Sequence, residues 1–99
     1  MKSVTTEQLR QLIHLQQGLV LDVREAWEFE EGHIEGAVNI PTSQFMERFE
    51  EIPKNENVFI ICEHAVRSKR VYHFLEEMGY EKIVDVAGGM SEWEGAICL

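Results

Sequence analysis

The chain predicts an α/β fold in which a mostly parallel sheet carries helices on both faces. Three observations lead there. Leu19-Val20-Leu21-Asp22-Val23, Val58-Phe59-Ile60-Ile61 and Lys82-Ile83-Val84-Asp85-Val86 are short, mainly apolar runs with little alternation, as expected of strands covered on both sides. Stretches with apolar residues at helical spacing stand between them. Glycines and prolines (Gly18, Gly32, Pro41, Gly79) punctuate the boundaries. Strands that alternate with helices imply right-handed crossovers and hence parallel pairing.

Taken in order, residues 3–5 can form a short edge strand. Thr5-Thr6-Glu7-Gln8 reads as a capping box, with Thr5 as N-cap and Gln8 three positions on. Leu9, Leu12, Ile13 and Gln16 mark one helical face, and Gly18 is expected to end that helix. The strand 19–23 follows. Glu25 to Glu31 reads as a short acidic helix that packs through Ala26, Trp27 and Phe29, with Gly32 breaking it. A turn-rich stretch then leads to a third strand, Ala37-Val38-Asn39-Ile40, stopped by Pro41. Thr42 or Ser43 can cap a helix whose apolar face is Phe45, Met46 and Phe49. After the polar turn 53–57 come the strand Val58–Ile61 and a loop. The next helix places Val71, Phe74, Leu75 and Met78 at i, i+3, i+4 and i+7, a buried stripe, with Gly79 at its C-terminus. Residues 82–86 are a fifth strand. Ala87-Gly88-Gly89-Met90 turns tightly into a short helix over Ser91 to Gly95.

Composition bounds the function. At 99 residues, 44% hydrophobic and 27% charged, the chain can bury one core, and a single domain over 1–99 is expected. Its first residues hold no apolar run, and no stretch approaches a membrane span. With only two cysteines, Cys62 and Cys98, no disulfide scaffold is suggested and a cytoplasmic location is expected. The formal charge of −9 argues against nucleic-acid or membrane partners. Locally the balance reverses: Arg67, Lys69 and Arg70 lie at or just after the loop, with Glu63 alone against them.

That loop carries the chemistry. Cys62 follows a buried strand and precedes a helix, where α/β folds place ligand sites. Backbone N–H groups and the helix dipole there favour an anion, and Arg67 adds a fixed positive charge, so a thiolate is favoured over a thiol. A free cysteine after a buried strand is most often a small hydrophobe; the company of Arg67 and Ser68 turns the reading to a nucleophile.

Four segments resemble the rhodanese-like domain in order and spacing: Leu21-Asp22-Val23-Arg24-Glu25, Gly32–Pro41, Cys62–Ser68 and Val86–Trp93. The resemblance runs nearly end to end. It implies the three-layer rhodanese-like fold, with a central five-stranded, mostly parallel sheet flanked by helices. It also implies a sulfurtransferase that moves a sulfane sulfur from thiosulfate or another persulfide donor to cyanide or a thiol, through a persulfide on Cys62. The loop Glu63, His64, Ala65, Val66, Arg67 and Ser68 would bind the donor, with Asp22 and Arg24 in support. No metal or cofactor is implied, since Cys62-x-His64 lacks a second pair at ligand spacing. A non-turnover persulfide carrier served by a protein partner in a sulfur relay is the alternative. The related phosphatases, and arsenate reductases of the same loop type, are less favoured: Cys62 to Arg67 is Cys-x4-Arg, one residue short of the phosphatase loop. Ala65 stands where many active members carry glycine; a positive φ there costs alanine roughly 1 kcal/mol, which is tolerable. Glu63 stands where thiosulfate-binding loops often carry a basic residue.

For individual side chains, Arg67 is expected to pair with a carboxylate such as Glu63 or Asp22 while lending charge to the site. Ser68 is expected to be the N-cap of the following helix, with a hydrogen bond to the thiolate as the sharper alternative. Asp22 and Arg24 are read as anchors, His64 as a rim residue and His33 as a turn brace. Trp27 and Trp93 are expected to pack, and the Glu25–Glu35 carboxylates to form a solvated face or a partner surface rather than a paired-acid site. Nothing in the sequence ties Cys98 to Cys62.

Overall fold

A computed structural model describes all 99 residues. Five strands, β1 (Ser3–Val4), β2 (Leu19–Asp22), β3 (Val38–Asn39), β4 (Val58–Ile61) and β5 (Ile83–Val86), form one sheet in the order β1-β5-β4-β2-β3. Every neighbouring pair is parallel, and the helices flank the sheet, as the sequence predicts. From β2 the chain steps outward to β3, whereas from β4 it steps the other way to β5. The direction of winding therefore reverses between β2 and β4, and the crevice beyond their C-terminal ends is the place where such sheets hold ligands.

Alternation along the strands divides the core in two. Leu21, Val23, Val58, Ile60, Cys62 and Ile83 point to one face, under Phe45 of α3 (Phe45–Arg48) and Val71, Tyr72 and Leu75 of α4 (Val66–Glu77). Val20, Phe59, Ile61 and Val86 point to the other, under Leu9 of α1 (Thr6–His14) and beside Met90 and Trp93. The side chain that ends β4 thus emerges on the α3/α4 face. No helix is long and apolar enough to cross a membrane.

The capping box forms as read: the Gln8 N–H donates to Thr5 Oγ1 at 3.1 Å, and the Thr5 N–H to Gln8 Oε1 at 2.9 Å. Other boundaries shift. α1 ends at His14, and the left-handed residue behind it is Gln16 (φ 55), not Gly18. The segment after Pro41 splits into a 3-10 turn (Thr42–Gln44), α3 and a second 3-10 turn (Phe49–Glu51). Neither Thr42 nor Ser43 caps it; both hydroxyls donate instead to Glu25, at 3.2 and 2.6 Å. The last helical piece is a 3-10 turn over Gly89–Glu92, earlier than the expected Ser91–Gly95.

Candidate active site

Cys62 is fully buried directly beyond β4. The chain turns over Glu63, His64 and Ala65 and enters α4 at Val66. The turn needs a left-handed residue, and Ala65 supplies it with φ 65 and ψ 15. This is the conformation in which an L-residue carries strain of about 1 kcal/mol.

Ala65 also occupies the N-cap position, where it has no side chain able to satisfy the first-turn N–H groups. Ser68 lies inside the helix, which corrects its expected role as N-cap. Its backbone N–H points at Cys62 Sγ, 3.3 Å away. The sulfur therefore accepts from the helix terminus as a capping oxygen would, and α4 directs the positive end of its dipole at that atom.

The opposite side of the loop is clamped by the turn after β5. The Met90 N–H donates to the Cys62 carbonyl at 2.8 Å and the Ser91 N–H to the Glu63 carbonyl at 3.0 Å. In planar trans peptides the N–H lies opposite the C=O, so the Glu63 and His64 N–H groups face away from this clamp. Gly89 makes the approach possible: a Cβ there would stand 2.4 Å from the Cys62 carbonyl oxygen and 2.6 Å from that of Glu63.

Arg67 does not pair with Glu63 or Asp22. It makes a two-point contact with Glu28 of α2 (Ala26–Glu30), Nη1 to Oε1 at 2.6 Å and Nη2 to Oε2 at 3.0 Å. Hydrogen bonding from Arg67 holds the Glu28 carboxyl below the usual carboxylate range, and the same pairing raises the Arg67 pKa, with Cys62 a lesser contributor. Glu28 Oε1 also accepts from the Glu25 N–H at 3.0 Å, so one carboxylate fixes both the start of α2 and the loop arginine. These contacts correct the reading of the Glu25–Glu35 carboxylates for Glu28, and the hydroxyl contacts of Thr42 and Ser43 correct it for Glu25.

Asp22 and Arg24 anchor the floor. Arg24 is buried, reaching Asp22 through Nε at 3.1 Å and Nη2 at 2.8 Å, the Gly32 carbonyl at 2.9 Å and Glu63 Oε1 at 3.4 Å. Asn39 Nδ2 ties the carbonyls of Asp22 and Arg24 together, each at 2.9 Å. His64 is exposed at the rim. His33 braces its turn, with Nδ1 2.8 Å from the Phe29 carbonyl and its ring stacked on Phe29. The Nε2 of His33 lies 3.1 Å from Cys98 Sγ, the partner that Cys98 lacked in the sequence.

Three contributors lay beyond sequence reasoning. Glu28 sits in an acidic run that gives no hint of which member turns inward. Asn39 interrupts an apolar strand, a faint signal of a side-chain tie. Asp85 likewise interrupts β5: it is 1% exposed, and neither carboxylate oxygen nor the buried Ser68 Oγ has a hydrogen-bond partner. Burial raises the Asp85 pKa, with the Ser68 hydroxyl and Lys69 working against the rise.

Beside the loop opens a cleft of about 470 Å³, bounded among others by Arg24, Glu63, Glu31, Trp27, Trp93 and Met90. Trp27, expected to pack, is 65% exposed there. Trp93 packs against the α1-side core and also borders the cleft.

The model of the rhodanese-like domain matches residues 5–96. An uncharacterised protein of Bacillus subtilis, YqhL, is 41% identical, with the alignment covering 98% of this chain and 75% of that protein. The thiosulfate sulfurtransferase GlpE of Haemophilus influenzae is 34% identical over 93% of this chain and 87% of its own. Among solved structures, a rhodanese-related protein of Thermoplasma volcanium superposes with a TM-score of 0.93 at 32% identity, covering 100% of this chain and 99% of the other.

Proposed function

Because the chain belongs to the rhodanese-like domain family, we propose that it is a sulfurtransferase whose sulfur is carried on Cys62. The observation that carries this reading is the sulfur of Cys62 at the start of α4, with the Ser68 N–H 3.3 Å away. That N–H is a fixed donor, in place without rearrangement, toward negative charge at the start of the helix. The Cys62 thiolate attacks the outer sulfur of thiosulfate or a persulfide; the S–S bond of the donor breaks and sulfite or a thiolate leaves. A nucleophilic acceptor, cyanide or a thiolate, then attacks the outer sulfur of the Cys62 persulfide and returns the thiolate. Arg67 and Arg24 fix the loop through their carboxylate partners.

Incubation with thiosulfate or a low-mass persulfide is expected to add one sulfur atom to Cys62 by mass, and cyanide to remove it as thiocyanate. A Cys62→Ser variant that kept producing thiocyanate would overturn the assignment. A carrier reading stands second, favoured by the full burial of Cys62 and by the pairing of both nearby arginines with carboxylates. It requires loading from a protein-borne persulfide to outpace loading from free thiosulfate; equal rates would remove it.

A further inference from the structure

We propose that the cleft beside the loop seats the sulfur acceptor and selects small thiols that carry a positive charge close to the sulfur. This rests on the sulfurtransferase reading of Cys62 and extends it to the second substrate. Arg24 and Glu63 border the cleft, and Glu63 follows Cys62 in the chain, so a molecule held there lies beside the loop that bears the sulfur. About 470 Å³ is the size of a small-molecule site.

Charge decides what enters. Arg24 is spent on Asp22 and Glu63, and Arg67 on Glu28. Glu31 borders the cleft without an ion pair or hydrogen bond of its side chain, and no unpaired cation lines the cleft. An anionic acceptor therefore meets paired arginines and a free carboxylate, while an ammonium meets Glu31 directly. Two indoles reinforce the preference. Trp93 is oriented by its Nε1–H, which donates to the Ala96 carbonyl at 3.2 Å. Trp27 stands largely in solvent at the rim, an exposure that core packing leaves unexplained. Indole faces attract an ammonium and give nothing to a carboxylate. The transfer itself balances without an added oxidant: the acceptor thiolate forms a bond to the outer sulfur, the S–S bond to Cys62 breaks, and its electron pair stays on the Cys62 sulfur.

Two measurements test this. In the first, Cys62 is loaded with one sulfur, excess donor is removed, and unloading by cysteamine, 2-mercaptoethanol and 3-mercaptopropionate is followed by mass. Rates are normalised to thiolate concentration and to reaction with a small-molecule persulfide. Cysteamine is expected to lead 3-mercaptopropionate by about tenfold at low ionic strength, with a gap that narrows in salt and closes in Glu31→Lys. Equal normalised rates, or a gap indifferent to Glu31→Lys, would overturn the proposal. The second needs no loaded sulfur. Trp27 and Trp93 are the only tryptophans and both border the cleft, so intrinsic fluorescence reports its occupancy. S-methylcysteamine is expected to change the emission saturably, and S-methyl-3-mercaptopropionate to leave it flat. Failure of Cys62 to load would refute the sulfurtransferase reading alone; absence of a saturable response to the amine would refute the cleft's role.

Discussion

Asp85 is the side chain whose cost is plainest. A carboxylate buried with no close hydrogen-bond partner, and with only the Ser68 hydroxyl and Lys69 to offset its desolvation, destabilises its fold by about 1–3 kcal/mol, and burial moves the Asp85 pKa up from 3.8. A carboxyl raised on folding binds a proton more tightly in the native state. Its contribution is therefore most favourable below the unfolded value of 3.8 and is lost as pH rises through the folded one. Asp85→Asn is accordingly expected to be more stable than the natural chain at pH 7, on the order of 1 kcal/mol, with the advantage shrinking as pH falls toward the unfolded carboxylate value. Urea unfolding at both ends of that range measures it, and an Asn variant weaker at pH 7 would show that ionised Asp85 is sustained by its surroundings. Side chains divide by legibility on the same physical ground. The place of Cys62 at the end of β4, the left-handed turn at Ala65 and the brace at His33 were readable because each is set by neighbours in the chain. Ser68 was misread because the cap of α4 is a sulfur six residues back, a partner no capping preference anticipates. Glu28 was missed because its pairing with Arg67 spans 39 positions.

The turn behind β5 owes its fit to Gly89 and the loop it clamps. With φ at +64 and a virtual Cβ 2.4 Å from the Cys62 carbonyl oxygen, this position combines a left-handed backbone with a backbone neighbour that cannot swing aside. Gly36, at φ +84, shares the conformation but has nothing within 4 Å of its virtual Cβ. Gly36→Ala is thus expected to show left-handed strain alone, about 1 kcal/mol, and to leave sulfur loading of Cys62 unchanged. Gly89→Ala is expected to cost more than that and to slow loading as well, because the two N–H donors to the loop carbonyls must move. Denaturation midpoints paired with loading rates separate the effects; equal loading in both variants would mean the clamp does not shape the site. Helices and central strands were legible because their periodicities are local. The irregular stretch from Thr42 to Glu51 was not, since its first 3-10 turn forms where Thr42 and Ser43 are drawn to Glu25 rather than to a cap.

Across the molecule, 18 acidic residues face 9 lysines and arginines, an imbalance that repels itself in the compact state. The ion pairs that oppose it are of two kinds. Arg10–Glu7 and Arg48–Glu51 are largely exposed pairs within one turn and weaken readily in salt. Arg24–Asp22 is buried and Arg67–Glu28 mostly so, which shields both from screening. Raising ionic strength from about 0.01 to 0.15 M shortens the Debye length from about 30 to 8 Å. It therefore relieves the long-range repulsion more than it harms the pairs that hold the loop, and at pH 7 the melting temperature is expected to rise with salt. Acid works through the pairs instead. Glu28 has a folded pKa below its ordinary 4.5, so its stabilisation is full above that value and disappears as pH falls through the folded one. Glu28→Gln is expected to melt below the natural chain at pH 7, by roughly 1 kcal/mol of stability, and level with it once the natural carboxyl is protonated in both states. Because the pair is shielded, the deficit at pH 7 should persist in 0.15 M salt; a deficit that salt erases would place Arg67–Glu28 among the exposed pairs and remove its hold on the loop.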